Sequence, residues 1–210
     1  MTRSADIAEK APARGRWPTG PDEEIRDAGL FDAPREFGRR APLEIEIGSG
    51  KARFLIEAAR RAPGHDFLGV ELSLAYFRIS RDRLARAGLA NARMVRADGR
   101  RFVETALPAA SVRAAHIYFP DPWPKKRQKK RRLLDGLFLE ILASKLEPGG
   151  HVRIATDHAD YGSGIDPLLE TVPALERLPW HALPPPPPTH YELKYAAEGR
   201  PIWRFLLRRR

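Results

Sequence analysis

The stretch "LEIEIGSG", Leu43 to Gly50, constrains the fold more than any other part of this chain. Leu43, Ile45 and Ile47 alternate with Glu44 and Glu46, the period of a strand. Gly48 and Gly50 then force a tight turn. "ARFLIEAARRA" follows with Phe54, Leu55, Ala58 and Ala59 on one helical face. A strand, a glycine turn and a helix in that order open a β–α–β unit.

The same rhythm recurs. Pro63-Gly64 stops the first helix, and "DFLGVEL" predicts a second strand. "SLAYFRISRDRLARAGL" predicts a helix capped by Ser73 and ended by Gly88. "ARMVRAD" and "RAAHIYFP" predict two more strands, the latter closed by Pro120. "RLLDGLFLEILASKL" predicts an amphipathic helix stopped by Pro148-Gly149-Gly150. "GHVRIATD" predicts a fifth strand, and "YGSGIDPLLETV" a helix with a turn at Gly162–Gly164. This alternation predicts an α/β fold built on a mainly parallel sheet. Pro184 to Pro188 form a stiff spacer that cannot sit inside a sheet, and "PIWRFLLR" predicts an antiparallel last strand. Residues 1–40, punctuated by Pro12, Pro18, Pro21 and Pro34, read as an irregular N-terminal arm with a short helix near Asp22–Leu30. That leaves 41–210 as the domain.

In such a sheet, ligands bind outside the carboxyl ends of the strands. Here those ends carry acids in sequence: Glu46, Glu71, Asp98, Asp121 and Asp157. The Gly48-Ser49-Gly50 turn lets a ligand approach the backbone. An acid about twenty residues on, Glu71, suits the ribose of a nucleoside cofactor. A nicotinamide dinucleotide and S-adenosylmethionine both fit this much. The dinucleotide fingerprint needs a third glycine where the chain has Arg53, and a pyrophosphate disfavours a rim of carboxylates. S-adenosylmethionine carries a sulfonium and an ammonium but no phosphate, so acids suit it.

The chain has no cysteine, which excludes disulfides, thiolate metal sites and thiol nucleophiles. The six histidines show no metal-ligand spacing, so no metal is expected. No apolar run approaches the roughly 20 residues of a membrane span, and the N-terminus has no apolar signal core. A cytoplasmic protein is the expectation.

Positive charge is concentrated. Lys125 to Arg132, "KKRQKKRR", holds seven cations and no acid, and Arg208, Arg209 and Arg210 hold three more. These ten charges equal the whole net charge of +10. A local field of this kind is a phosphate-binding footprint. It directly follows Asp121-Pro122-Trp123-Pro124, an acid and an indole between prolines.

A basic patch beside a methyl-donor pocket points to nucleic-acid methylation. Methylation at pyrimidine C5 normally needs a cysteine nucleophile. Exocyclic-amine methylation usually uses a clamp of Asn, Asp or Ser, two prolines and an aromatic, and "DPWP" has another order. Guanine N7 needs the least, because its lone pair is exposed and needs no base. The enzyme has to align N7 and stabilise the positive charge that moves onto the purine.

"FPDPWPKKRQKKRR", with "EIGSG", "FLGVEL", "ATDHADY", "THYELK" and "RPIWRF" in the right order, resembles the bacterial tRNA (guanine-N7-)-methyltransferases over residues 43 to 210. The resemblance implies a Rossmann-like class I methyltransferase with a mostly parallel seven-stranded sheet, using S-adenosylmethionine on guanosine 46 of the tRNA variable loop. It implies that Glu46, Gly48, Gly50, Glu71, Asp98 and Asp121 surround the donor, with Asp121 also catalytic. Lys125, Asp157, Thr189, His190, Tyr191 and Glu192 would contact substrate. Lys126, Arg127, Lys129, Lys130, Arg131 and Arg132 would meet RNA. Many relatives have a third glycine in the turn where this chain has Ala52. The rivals are the same fold acting on another RNA or a protein, a non-catalytic RNA-binding protein, and a dinucleotide-dependent oxidoreductase.

Overall fold

The computed structural model describes residues 29–210. The helix expected near Asp22–Leu30 lies outside them except for Gly29 and Leu30, which are not helical. Seven strands form one sheet: β1 (Leu43–Ile47), β2 (Asp66–Glu71), β3 (Ala92–Arg96), β4 (Val112–Tyr118), β5 (Leu146–Thr156), β6 (Leu175–Leu178) and β7 (Trp203–Arg209). Their order is β3-β2-β1-β4-β5-β7-β6. β1 to β5 pair in parallel, and β7 runs antiparallel to both β5 and β6. The helices are α1 (Ala33–Phe37), α2 (Arg53–Arg61), α3 (Leu74–Ala87), α4 (Gly99–Thr105), α5 (Gly136–Lys145), α6 (Ala159–Glu170) and α7 (His190–Ala197).

The strands read as apolar runs because both faces are covered. Phe54, Leu55 and Phe77 from α2 and α3 pack with Phe67, Met94 and Tyr118 on one face. Phe102, Phe138, Leu139 and Ile165 from α4, α5 and α6 pack with Ile45, Ala115 and Ile117 on the other. The first face also holds polar groups: Glu44 bonds His65 at 2.7 Å and the buried His116 at 2.8 Å. The chain moves outward from β1 to β3, then returns to place β4 on the other side of β1. The reversal point therefore lies between β1 and β4, where such sheets hold ligands.

Several elements depart from expectation. Order reaches back into the expected arm: Asp32 caps α1 through Arg35 N–H, and Phe31 is buried with its N–H on Ala106 O at 2.7 Å. Ser73 stands at the start of α3 but its hydroxyl makes no capping bond; the contact there is its own N–H, which donates to Glu71. α5 begins at Gly136 rather than Arg132, since Asp135 caps it through Phe138 N–H at 2.8 Å. β5 begins at Leu146, so Pro148-Gly149-Gly150 lies within the strand, against a register shift in β4. Gly162 and Gly164 continue α6 instead of breaking it. A Cβ at Gly162 would run into Trp203, so the glycine lets α6 lie against β7. α4 and α7 are additions to the expected set, and β6 is the seventh strand that the resemblance implies but no stretch of sequence marked.

Candidate active site at the carboxyl edge of the sheet

Because β1 to β5 are parallel, their five terminal acids share one edge. Asp98, Glu71, Glu46, Asp121 and Asp157 follow one another along it in the order of the strands. Glu46 and Asp121 flank the reversal point.

The glycine turn after β1 is built from positive-φ residues. Gly48, Gly50 and Ala52 have φ of 80°, 52° and 53°. Gly48 and Ser49 donate to Val70 O, and Ala52 donates to Ser49 O at 2.8 Å. The Glu71 carboxylate locks the turn: Oε2 accepts from Gly50 N–H and Oε1 from Ser73 N–H, each at 2.8 Å. One side chain thus joins the turn to the start of α3. Nothing lies within 4 Å of where a Cβ would stand on Gly48 or Gly50, so the turn faces open space. Beneath it packing is tight: a Cβ on Gly69 would collide with Met94, Ser49 and Leu55. Ala52 is fully buried and left-handed, a conformation that costs an L-residue about 1–2 kcal/mol. Ala52 thus takes up a backbone conformation that favours glycine.

Glu46 is 4% exposed, and its Oε2 has no hydrogen-bond partner. Burial, with Glu71 nearby, holds its carboxyl well above the usual range. Asp98 caps α4, its Oδ1 accepting from Arg101 N–H at 2.9 Å. Gly99 follows because a Cβ there would strike Ile47. Asp121 is exposed beyond β4. Its neighbourhood is strained: Phe119 and Trp123 have φ of 52° and 40°, unusual for bulky residues and characteristic of functional sites. Trp123 is half-buried rather than core, and the Arg131 guanidinium lies 5.0 Å over its ring.

α7 closes the other side of the crevice. Thr189 caps it, accepting from Glu192 N–H at 2.9 Å, and Glu192 pairs with Arg204 at 2.6 Å. Asp157 pairs with Arg200 at 3.2 Å. These bonds seat a helix with no buried residue, whose Tyr191 and Tyr195 stack beside Phe119. Tyr191 stands near Tyr76, Asp121 and Glu71, and burial together with those neighbours raises its hydroxyl above the usual range. His190 and Tyr191 are exposed. Tyr76 and Arg200 had no sequence signal; topology alone brings them here.

The basic block forms a 3₁₀ turn over Lys126–Arg131, with Lys125 exposed just before it. Its cations divide into two groups. Lys129 and Arg132 clamp Asp160 at the start of α6, and Arg132 Nε also donates to Pro122 O at 2.9 Å. Lys125, Lys126, Arg127, Lys130 and Arg131 are exposed, Arg131 while lying over Trp123. The clamp fixes the block beside the Asp121–Trp123 loop. The C-terminal arginines lie elsewhere. β7 runs antiparallel to β5, so Arg208 and Arg209 sit at the opposite edge, on Glu176 and Leu146 O. They are no part of a footprint at this site.

The edge fits S-adenosylmethionine. An unpartnered buried carboxylate oxygen, an open glycine turn and the unused lone pairs of Glu71 and Asp98 are acceptors for an ammonium, an adenine amine and ribose hydroxyls. Among the described residues, no His, Asp and Glu cluster could hold a metal, and no helix is long and apolar enough to cross a membrane.

A family model described as "Putative methyltransferase" matches residues 40–205. A tRNA (guanine-N(7)-)-methyltransferase of Halorhodospira halophila is 37% identical over 202 residues, covering 93% of this chain and 87% of that one. The Bordetella parapertussis protein of the same description is 37% identical over 85% of this chain and 72% of its own. Among solved structures, the aminoglycoside resistance methyltransferase NpmB1 superposes with a TM-score of 0.59 at 16% identity, over 90% of this chain and 95% of that one. The 16S rRNA methyltransferase KamB gives 0.56 at 14%, over 86% and 93%. At such identities these two show the fold alone. The chain therefore belongs to the class I S-adenosylmethionine-dependent methyltransferases, in the family related to the tRNA (guanine-N(7)-)-methyltransferases.

Proposed function

We propose that this protein methylates N7 of guanosine 46 in the variable loop of tRNA. The observation that carries the reading is the juxtaposition of Asp121, exposed at the reversal point, with Trp123 and the clamped basic block. S-adenosylmethionine supplies the methyl group: the N7–carbon bond forms as the carbon–sulfur bond breaks, and no proton leaves N7.

The chain's own residues then have distinct tasks. Glu71, Asp98, Gly48 and Gly50 orient the donor, and Glu46 accepts its ammonium. Lys125, Lys126, Arg127, Lys130 and Arg131 hold phosphates. Lys129 and Arg132 act mainly by fixing the block on Asp160. Trp123 and Tyr191 shape the space for the base, and Lys125 and His190 border it. Asp157, Thr189 and Glu192 seat the helix that carries Tyr191 and keep lone pairs for substrate. Asp121 faces the purine as it becomes cationic, which a carboxylate stabilises without having to move. That answers why an acid sits at the foot of so dense a block of cations.

The test is methyl transfer from labelled donor to an unmodified tRNA transcript, beside a ligated transcript carrying 7-deazaguanosine at position 46. The first should accept one methyl group and the second none. Equal incorporation into both would refute the assignment of atom and site.

A further inference from the structure

Outside the site, a cluster of arginines lines an open groove between α2 and α3. Arg53, Arg60, Arg83 and Arg86 converge on it over Ile56, with Glu57 the one carboxylate in its lining. Counting charges along the sequence hides this group, because distant acids cancel it. We infer that this groove is a second phosphate-binding track for the RNA backbone. The inference rests on the RNA reading above.

Three features favour a ligand over a merely solvated helix face. Arg53 is the first residue of α2, in a first turn without an acid. A cation there opposes the helix dipole, so helix stability does not account for it. Arg60 and Arg86, in last turns, are where the dipole wants them. Secondly, the guanidinium groups of Arg53 and Arg86 have no hydrogen-bond or ion-pair partner among the described residues. Arg60 bonds Glu57 at 2.8 Å, leaving a net excess of three cations. Thirdly, all four are arginines, whose planar fork matches phosphate oxygens.

Placement selects the partner. Arg83 Nη1 donates to Lys51 O at 2.9 Å, so the groove begins at the glycine turn. α2 and α3 cover one face of the sheet, whereas the basic block is clamped to α6 on the other. Two cationic surfaces thus flank the acidic edge. A folded RNA reaching over that edge meets both; a short acidic peptide would meet one.

The test is equilibrium binding of a fluorescein-labelled tRNA transcript over a potassium chloride series. It uses Arg53→Gln/Arg86→Gln, Glu57→Gln, and Lys126→Gln/Lys130→Gln from the basic block. Losing two phosphate contacts in the groove should flatten the log–log salt slope by about 1.4–1.8 and weaken binding about tenfold near physiological salt. Donor affinity by calorimetry and the methylated atom should not change. Glu57→Gln, which removes the groove's own acid, should tighten binding by roughly twofold to threefold. It also carries the test should the double arginine variant fold poorly. Wild-type slopes and affinities in both groove variants, with a flattened slope in the block variant, would overturn the groove and leave the RNA reading standing. Unchanged slopes in all three would overturn both.

Discussion

Replacing Glu71 with Gln tests how the donor site is held together. Glu71 is 9% exposed, and its two oxygens accept from Gly50 N–H and Ser73 N–H at 2.8 Å. Glutamine offers one oxygen and one amide nitrogen. Whichever way it turns, one backbone N–H must face an NH₂. One charge-assisted bond worth about 1.5–3 kcal/mol is lost, and the other falls to neutral strength, a further ~0.5–1 kcal/mol. Some of this is returned, because Glu71 helps push the buried Glu46 carboxyl up. A net loss of about 2–3 kcal/mol follows, or roughly 5–10 °C in Tm for a domain of this size. Donor binding should weaken more than tenfold, since the turn loosens and ribose acceptors are lost. Urea unfolding and calorimetry measure both. Stability within about 0.5 kcal/mol of wild type, with unchanged donor affinity, would show that Glu71 does not hold the turn.

Asp121→Asn keeps the shape and removes the charge, so kcat should fall about a hundredfold with little change in the KM for tRNA, by steady-state methyl transfer. Lys126, Arg127 and Lys130 all changed to Gln should flatten the salt slope of tRNA binding by about 2–3. Burial, with His116 and Arg153 close by, holds His151 at a pKa of about 4, against 6.5 when free. Below pH 6.5 the unfolded chain takes a proton that the native one refuses. Stability should therefore fall as pH drops from 6.5 towards 4, by at most about 3 kcal/mol, and His151→Gln should abolish that loss in urea titrations. Glu44, bonded by His116 and His65, has its pKa lowered from 4.5 to about 2. Its contribution is fully present above pH 4.5 and is lost as pH falls towards 2, a window that meets that of His151 only near pH 4.

What could be read from sequence was whatever repeats locally. β1 to β5 announce themselves because parallel strands covered on both faces are apolar, and the acids closing them fall on one edge by topology alone. The missing elements are those without a local signature. α4, "GRRFVET", is too short to display a period. β6, "LERL", is an edge strand with one buried residue. α7 buries nothing and is held by its Thr189 cap and stacked rings. Non-local pairings were equally hidden. Asp160 lies 28 residues beyond Arg132, yet it decides which cations of the block are tied to protein. The terminal arginines add to net charge like any others, but the direction of β7 carries them to the far edge. The arginine groove appears only once α2 and α3 lie side by side.

The most direct test of the central claim is borohydride–aniline cleavage of tRNA after incubation with the protein and donor. This chemistry cuts the chain at N7-methylguanosine. The expected result is one new cut, at position 46 of the variable loop, that forms about a hundredfold more slowly with Asp121→Asn. Methyl incorporation without that cut would contradict the assignment of N7 while leaving the methyltransferase fold and its donor in place.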